Sequence, residues 1–154
     1  MFIEVKPVID KSMRKLCLSP YYGHSRGCPN FNKKTGCPPQ LPTIDHLIDL
    51  DNKMPMYAIF NKFDFKAHCD RMRKKHPEWS QRQVECCLYW QGTARKSLRE
   101  KIGVFRQAHP RLYIVAYPEA SGTNLTATIK QIGISLEWPP KRHTYQVVLA
   151  GSKR

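Results

Sequence analysis

The chain is predicted to form an α/β domain: a four- to five-stranded sheet, flanking helices and one Cys/Pro/Gly-rich metal-binding loop. Three observations lead there. Segments with helical and strand patterning alternate along the sequence. The 154 residues, 41% of them hydrophobic, suit a single domain (1–154) with a real core. The stretch 17–42, CLSPYYGHSRGCPNFNKKTGCPPQLP, holds three of the six cysteines and five of the twelve prolines, with too little apolar surface to order itself.

Phe2 to Ile9 reads as a short strand that Pro7 confines to a sheet edge or strand end. Asp10 is placed to cap a helical turn through Leu16. After the loop, Thr43 is an N-cap candidate, and Ile44, Leu47 and Ile48 recur at helical spacing up to Leu50. MYAIFNKF (56–63) is a strand, apolar and rich in aromatics. Asp64 caps a helix through Lys75, which Pro77 ends.

Ser80, with Gln83 at capping-box spacing, opens the longest predicted helix, closed by Pro110. Its apolar stripe runs through Val84, Cys87, Leu88, Ala94, Leu98, Ile102 and Phe105. Gly92 and Gly103 weaken a helix, so a close neighbour is expected there. LYIVAY (112–117) reads as a buried strand and TNLTATIKQI (123–132) as a short helix with Gly133 as C-cap. ISLEW (134–138) and TYQVVL (144–149) read as strands around the turn PPKRH, and residues 151–154 as a frayed end.

The formal net charge is +14, with basic clusters at 71–75, 95–101, 141–142 and 153–154. Such a surface attracts polyanions, and RNA, DNA or a nucleotide is the expected partner. An acidic protein partner is the alternative. No run of about 18 apolar residues occurs, so no membrane span is expected. The segment MFIEVKPVID lacks a basic region followed by an apolar stretch, so no signal peptide is expected and the cytoplasm is the default. In that reducing setting cysteines serve as metal ligands or catalytic groups rather than disulfides.

The loop spacing is C-x10-C-x8-C, with Cys17, Cys28 and Cys37 as thiolate ligands. The choice of metal lies between zinc and an iron–sulfur cluster. Zinc takes four tetrahedral ligands, and His24 would supply the fourth. A [4Fe–4S] cluster held by three cysteines leaves one iron without a protein thiolate. Gly23, Gly27 and Gly36 allow positive φ, so the backbone can wrap a centre and aim amides at sulfur. His24 is a candidate for proton transfer and Arg26 for meeting an anionic substrate. Tyr21, Tyr22 and Phe31 offer stacking surface.

CPNFNKKTGCPP, following a basic residue and a cysteine, resembles the motif of an uncharacterised bacterial and archaeal family described as predicted metal-binding proteins. Its members carry a cysteine, then CPNYGK, then CPP before a helix. TIDHLIDL and MYAIFNKF fall where that family has its helix and next strand. VECCLYWQGTARKSL and EASGTNLTATIKQIGISLEW are similar to its later segments. The resemblance covers roughly residues 14–63, 84–98 and 118–150. It does not extend to the family's second, ferredoxin-like cysteine cluster, because FRQAHPRLYIVAYP has no cysteine. The first two cysteines are also widely spaced, with YYGHSRG between them.

Outside the loop, Cys87 is expected in the core, while Cys69 or Cys86 would be the one to complete a cluster. His68, His76, His109 and His143 are expected at the surface. EASGTN before a helix is read as a plain capped start, with Ser121 or Thr123 as the cap, in preference to an anion site. The favoured function is an iron–sulfur enzyme with an open iron, acting on an anionic substrate, with sulfur transfer or desulfuration as one chemistry. The alternative is a structural zinc module that binds nucleic acid or regulates without catalysis.

Overall fold

The computed structural model describes residues 1–21 and 24–154. The chain folds as a small domain of mixed helices around a four-stranded sheet of order β1-β2-β4-β3. These strands are β1 (Phe2–Val5), β2 (Met56–Asp64), β3 (Tyr113–Val115) and β4 (His143–Gly151). Every pairing is antiparallel. The central ladder pairs Ile59 with Val148 and Phe60 with Val147. Because strand side chains alternate, β2 and β4 each feed both faces.

One face carries Ala58, Phe60, Val147 and Leu149, packed with Ile44 and Ile48, and with Leu125 and Ile129. These come from or adjoin α1 (Ile44–Leu47) and α5 (Leu125–Lys130). The other face carries Ile59, Val148 and Ala150 under Phe105, Leu98 and Ile102 of α4 (Gln91–Ala108). Asn61 is buried on this second face among apolar groups and is fully used. Its amide donates to the Ala94 carbonyl (3.1 Å) and to Gln146 Oε1 (2.9 Å), and its oxygen accepts from Ser97 Oγ (2.9 Å) and Lys101 Nζ (3.0 Å). A buried amide satisfied on both ends fixes how α4 crosses the sheet.

Helix α2 (Phe65–Lys75) begins as expected, with Asp64 accepting from the Ala67 amide. The capping box of Ser80 and Gln83 also forms, but it opens only a short α3 (Gln81–Val84). A 3-10 turn, Cys87–Tyr89, then separates α3 from α4, so the single helix expected from Ser80 onward is two. The cause is Trp90. Its buried indole stacks on Phe63 (5.4 Å) and meets Phe65 edge-on (5.6 Å), while its N–H takes the Glu85 carbonyl (3.2 Å). The apolar stripe loses its phase there. Cys87 and Leu88, expected in the core, are exposed. A Cβ placed at Gly92 or Gly103 would meet nothing, contrary to the close contact expected at both.

Three other expectations are corrected. Residues 134–138 form no strand, although Ile134 and Leu136 still pack on the core. Instead the Glu137 carboxylate accepts from the amides of Arg142 (2.7 Å) and Lys141 (2.9 Å) and shapes the turn into β4. β3 is an edge strand rather than a buried one, with Tyr113 exposed. The C-terminus is docked rather than frayed: Lys153 bridges to Ile48, and Arg154 reaches the carbonyls of Leu47 (3.3 Å) and Asp45 (2.7 Å).

Phe105 is 0% exposed. Phe105→Ala is expected to lower unfolding stability by about 3–5 kcal/mol in urea denaturation; a loss below about 1 kcal/mol contradicts the packing of α4 on the sheet. Glu137 is held down to about 2 by the two backbone amides and Arg142. A lowered carboxylate stabilises the fold at higher pH. That contribution is complete above the ordinary glutamate value of 4.5 and fades as the pH falls toward 2. Titration of the Glu137 carboxyl by NMR should give a midpoint near the lower figure, and one at the ordinary value would refute this turn.

Candidate metal centre

The loop is strung between two anchored posts. Its leading post is the 3-10 helix Lys11–Leu18, started by Asp10, whose side chain accepts from the Ser12 amide. Its trailing post is α1, where Thr43 sits at the N-cap position but bonds the His46 ring (2.8 Å) instead of a backbone amide. Both posts lean on the turn at 118–124. The Gly122 carbonyl accepts from the Asp10 amide and the Ser121 carbonyl from the Ile44 amide, each at 2.8 Å.

Within the loop, the Cys28 amide donates to the Cys17 carbonyl at 2.7 Å, which sets the first two cysteines side by side. Gly27 makes this approach possible. It has φ +81°, and a Cβ there would lie 2.7 Å from the Cys17 carbonyl oxygen. Gly36 serves differently, as a close seat for the Tyr117 ring: a Cβ at this position would lie 3.0 Å from the ring's Cε2. The Asn32 amide reaches the Pro38 carbonyl (2.8 Å), and Cys37 accepts from the Leu41 amide through its carbonyl (3.0 Å). These amides are spent on carbonyls, so the expected aiming of amides at sulfur is not what organises the loop.

All three loop cysteines are free and half-buried. Burial pushes the Cys17 thiol up, and the neighbouring Cys28 and Cys37 thiolates and the Glu119 carboxylate push the same way, against Arg14. Cys28 and Cys37 are thus each within electrostatic reach of Cys17. Tyr21 joins them. Burial raises its phenol, followed by the charge of Cys28 and a hydrogen bond to it. Tyr21 also pairs with His24 through both backbones (3.1 and 2.8 Å), and the two rings lie 4.8 Å apart. His24 and Arg26 are exposed on the rim. Tyr22 and Gly23, read as a stacking residue and a hinge, lie outside the described residues. Phe31 is half-buried within the loop.

Sequence reading missed three neighbours. Arg14 lies three residues before Cys17, and in a 3-10 helix such positions eclipse. Its guanidinium straps the loop's far end by the carbonyls of Leu41 (2.7 Å) and Pro39 (3.1 Å). Glu119 and Tyr117 arrive from a segment distant in sequence, and only the fold brings them. Burial raises the Glu119 carboxyl.

The other candidates are elsewhere. Cys69 is buried against Phe65, Val84, Trp90 and Ala94 as a core side chain. His68, expected at the surface, is buried, and its Nε2 has no hydrogen-bond partner. His109 packs its ring on Phe105 (4.7 Å) and Tyr57 (4.8 Å). At 118–124 the helix cap is Asn124, which accepts from the Ala127 amide, not Ser121 or Thr123. The amides of Ser121, Gly122 and Thr123 all bond carbonyls within the turn, so no anion cradle forms there.

In donor chemistry the loop fits a thiolate-bound centre: three free thiols on a backbone fastened at both ends. Among the described residues, no three His, Cys, Asp or Glu side chains converge as closely as ligands of a single ion. Comparison with protein families, curated proteins and solved structures finds no match to this chain. Among the described residues, no helix is long and apolar enough to cross a membrane.

Gly27→Ala should cost more than about 1 kcal/mol, since alanine there meets both strain and a backbone clash. Hydrogen exchange at the Cys28 amide should accelerate. Unchanged stability with unchanged exchange would mean that the Cys17–Cys28 strap is not a structural link.

Proposed function

We propose that this chain is an iron–sulfur protein in which Cys17, Cys28 and Cys37 hold a [4Fe–4S] cluster, and that it acts on a nucleic acid, nucleotide or other anionic substrate. The observation that carries the reading is the grouping of three free thiols on one doubly anchored loop. The resemblance of CPN and CPP to the metal-binding family points the same way. When bound, a cluster with three protein thiolates supplies an iron free to act as a Lewis acid or to hold sulfide for sulfur transfer or desulfuration.

The chain's own residues divide the remaining work. Arg14 offsets thiolate charge at Cys17 while fastening the loop. Arg26, exposed two residues before Cys28, would receive an anionic group at the rim. His24, its ring tilted 40° against that of Tyr21, would carry a proton to or from a substrate there. The formal charge of +14 would raise the local concentration of polyanions around this rim.

A second reading keeps the loop but makes it structural. Zinc would then be held by Cys17, Cys28, Cys37 and His24, with His24 fastened to Tyr21 through both backbones. The metals are told apart by composition. Protein isolated without oxygen should be brown, contain iron and acid-labile sulfide, and lose both in Cys17→Ser, Cys28→Ser or Cys37→Ser. Colourless protein with one zinc per chain overturns the cluster, and protein that takes up neither metal overturns both readings.

A further inference from the structure

The corner formed by α2, α3 and the 3-10 turn has features that the cysteine loop does not absorb. Three rings form a row there, with Trp79 in the middle. Trp79 lies parallel to His76 at 3.9 Å and 5° and meets Tyr89 at 4.9 Å. Tyr89 is 53% exposed, and the adjacent Leu88 is 83% exposed, which leaves both available to a partner. The last turn of α2 adds Arg73, Lys74 and Lys75. Arg73 is engaged by Asp70 (3.6 Å) and Gln81 (2.6 Å). Among the described residues Lys74, Lys75 and Arg82 form no ion pair. Glu78 is the exposed acid on this corner, 3.6 Å from His76 Nδ1.

We propose that this corner is a stacking platform for a single-stranded nucleic acid, with Tyr89 and Leu88 against the bases and Lys74, Lys75 and Arg82 along the phosphates. An exposed ring beside unpaired cations is what an unpaired strand recognises, whereas a duplex hides its base faces. The inference rests on the reading of the chain as a polyanion binder and specifies the partner's class and its seat.

Removing Trp79 would disturb the cluster it packs in, so the informative variants are Tyr89→Ala and the pair Lys74→Gln with Lys75→Gln, on exposed sites. Binding is measured by fluorescence anisotropy with oligo-uridine, oligo-thymidine, a duplex of matched length and poly-glutamate. Tyr89→Ala should weaken single-strand binding about tenfold and leave its salt dependence unchanged. The double lysine variant should flatten that salt dependence. Single strands should outcompete the duplex and poly-glutamate. Wild-type protein that binds none of the nucleic acids at low salt removes the polyanion reading and this inference together. Wild-type binding that Tyr89→Ala leaves intact, or that poly-glutamate or the duplex matches, overturns the platform alone.

Discussion

The turn at 118–124 is the constraint on which the rest depends. It is buried, with Ser121 and Thr123 at 0% exposure, and its backbone groups are committed to separate parts of the chain. Gly122 holds Asp10, Ser121 holds Ile44, the Asn124 amide reaches Val8 (2.8 Å), and Thr128 Oγ1, one turn into α5, accepts from Val8 (2.9 Å). Buried backbone polar groups without partners are costly, so these bonds cannot be surrendered singly. The consequence reaches the cysteines: both ends of their loop are fixed to one rigid object. Part of the entropic cost of closing the loop around a centre is therefore met by the fold. The same turn supplies Glu119 beside Cys17, and Tyr117, just ahead of it, seats Gly36.

The sheet has a different role. β2 and β4 are buried on both faces, and their register brings α1 with α5 to one side and α4 to the other. This sandwich holds the 118–124 turn and α1 in place but contributes no ligand itself. The candidate chemistry sits at the margin of the core, on a segment that could not fold alone. Function on an irregular loop and stability in a regular scaffold is a common division of labour.

Much of the scaffold was legible from local chemistry. Asp64, Ser80 with Gln83, and Gly133 each mark a boundary through a side chain or a backbone angle that acts within a few residues, and each does so here. The break at 85–90 was not legible, because its cause is the burial of Trp90 against Phe63 and Phe65, far away in sequence. The apolar alternation in 134–138 was real, since Ile134 and Leu136 face the core. It was misread as a strand because alternation reports which way side chains point, not whether a ladder partner exists. In the loop, the cysteines and Gly27 could be picked out by type and spacing. Glu119, Tyr117 and the Arg14 strap depend on tertiary placement and left no pattern.

The central claim is that Cys17, Cys28 and Cys37 serve one centre. Cysteine alkylation followed residue by residue by mass spectrometry, on metal-loaded and metal-stripped protein, tests it most directly. The account predicts that these three are protected together when metal is bound and become reactive together when it is removed, while exposed Cys87 reacts in both states. Protection of only one or two of them, or equal reactivity with and without metal, would contradict it.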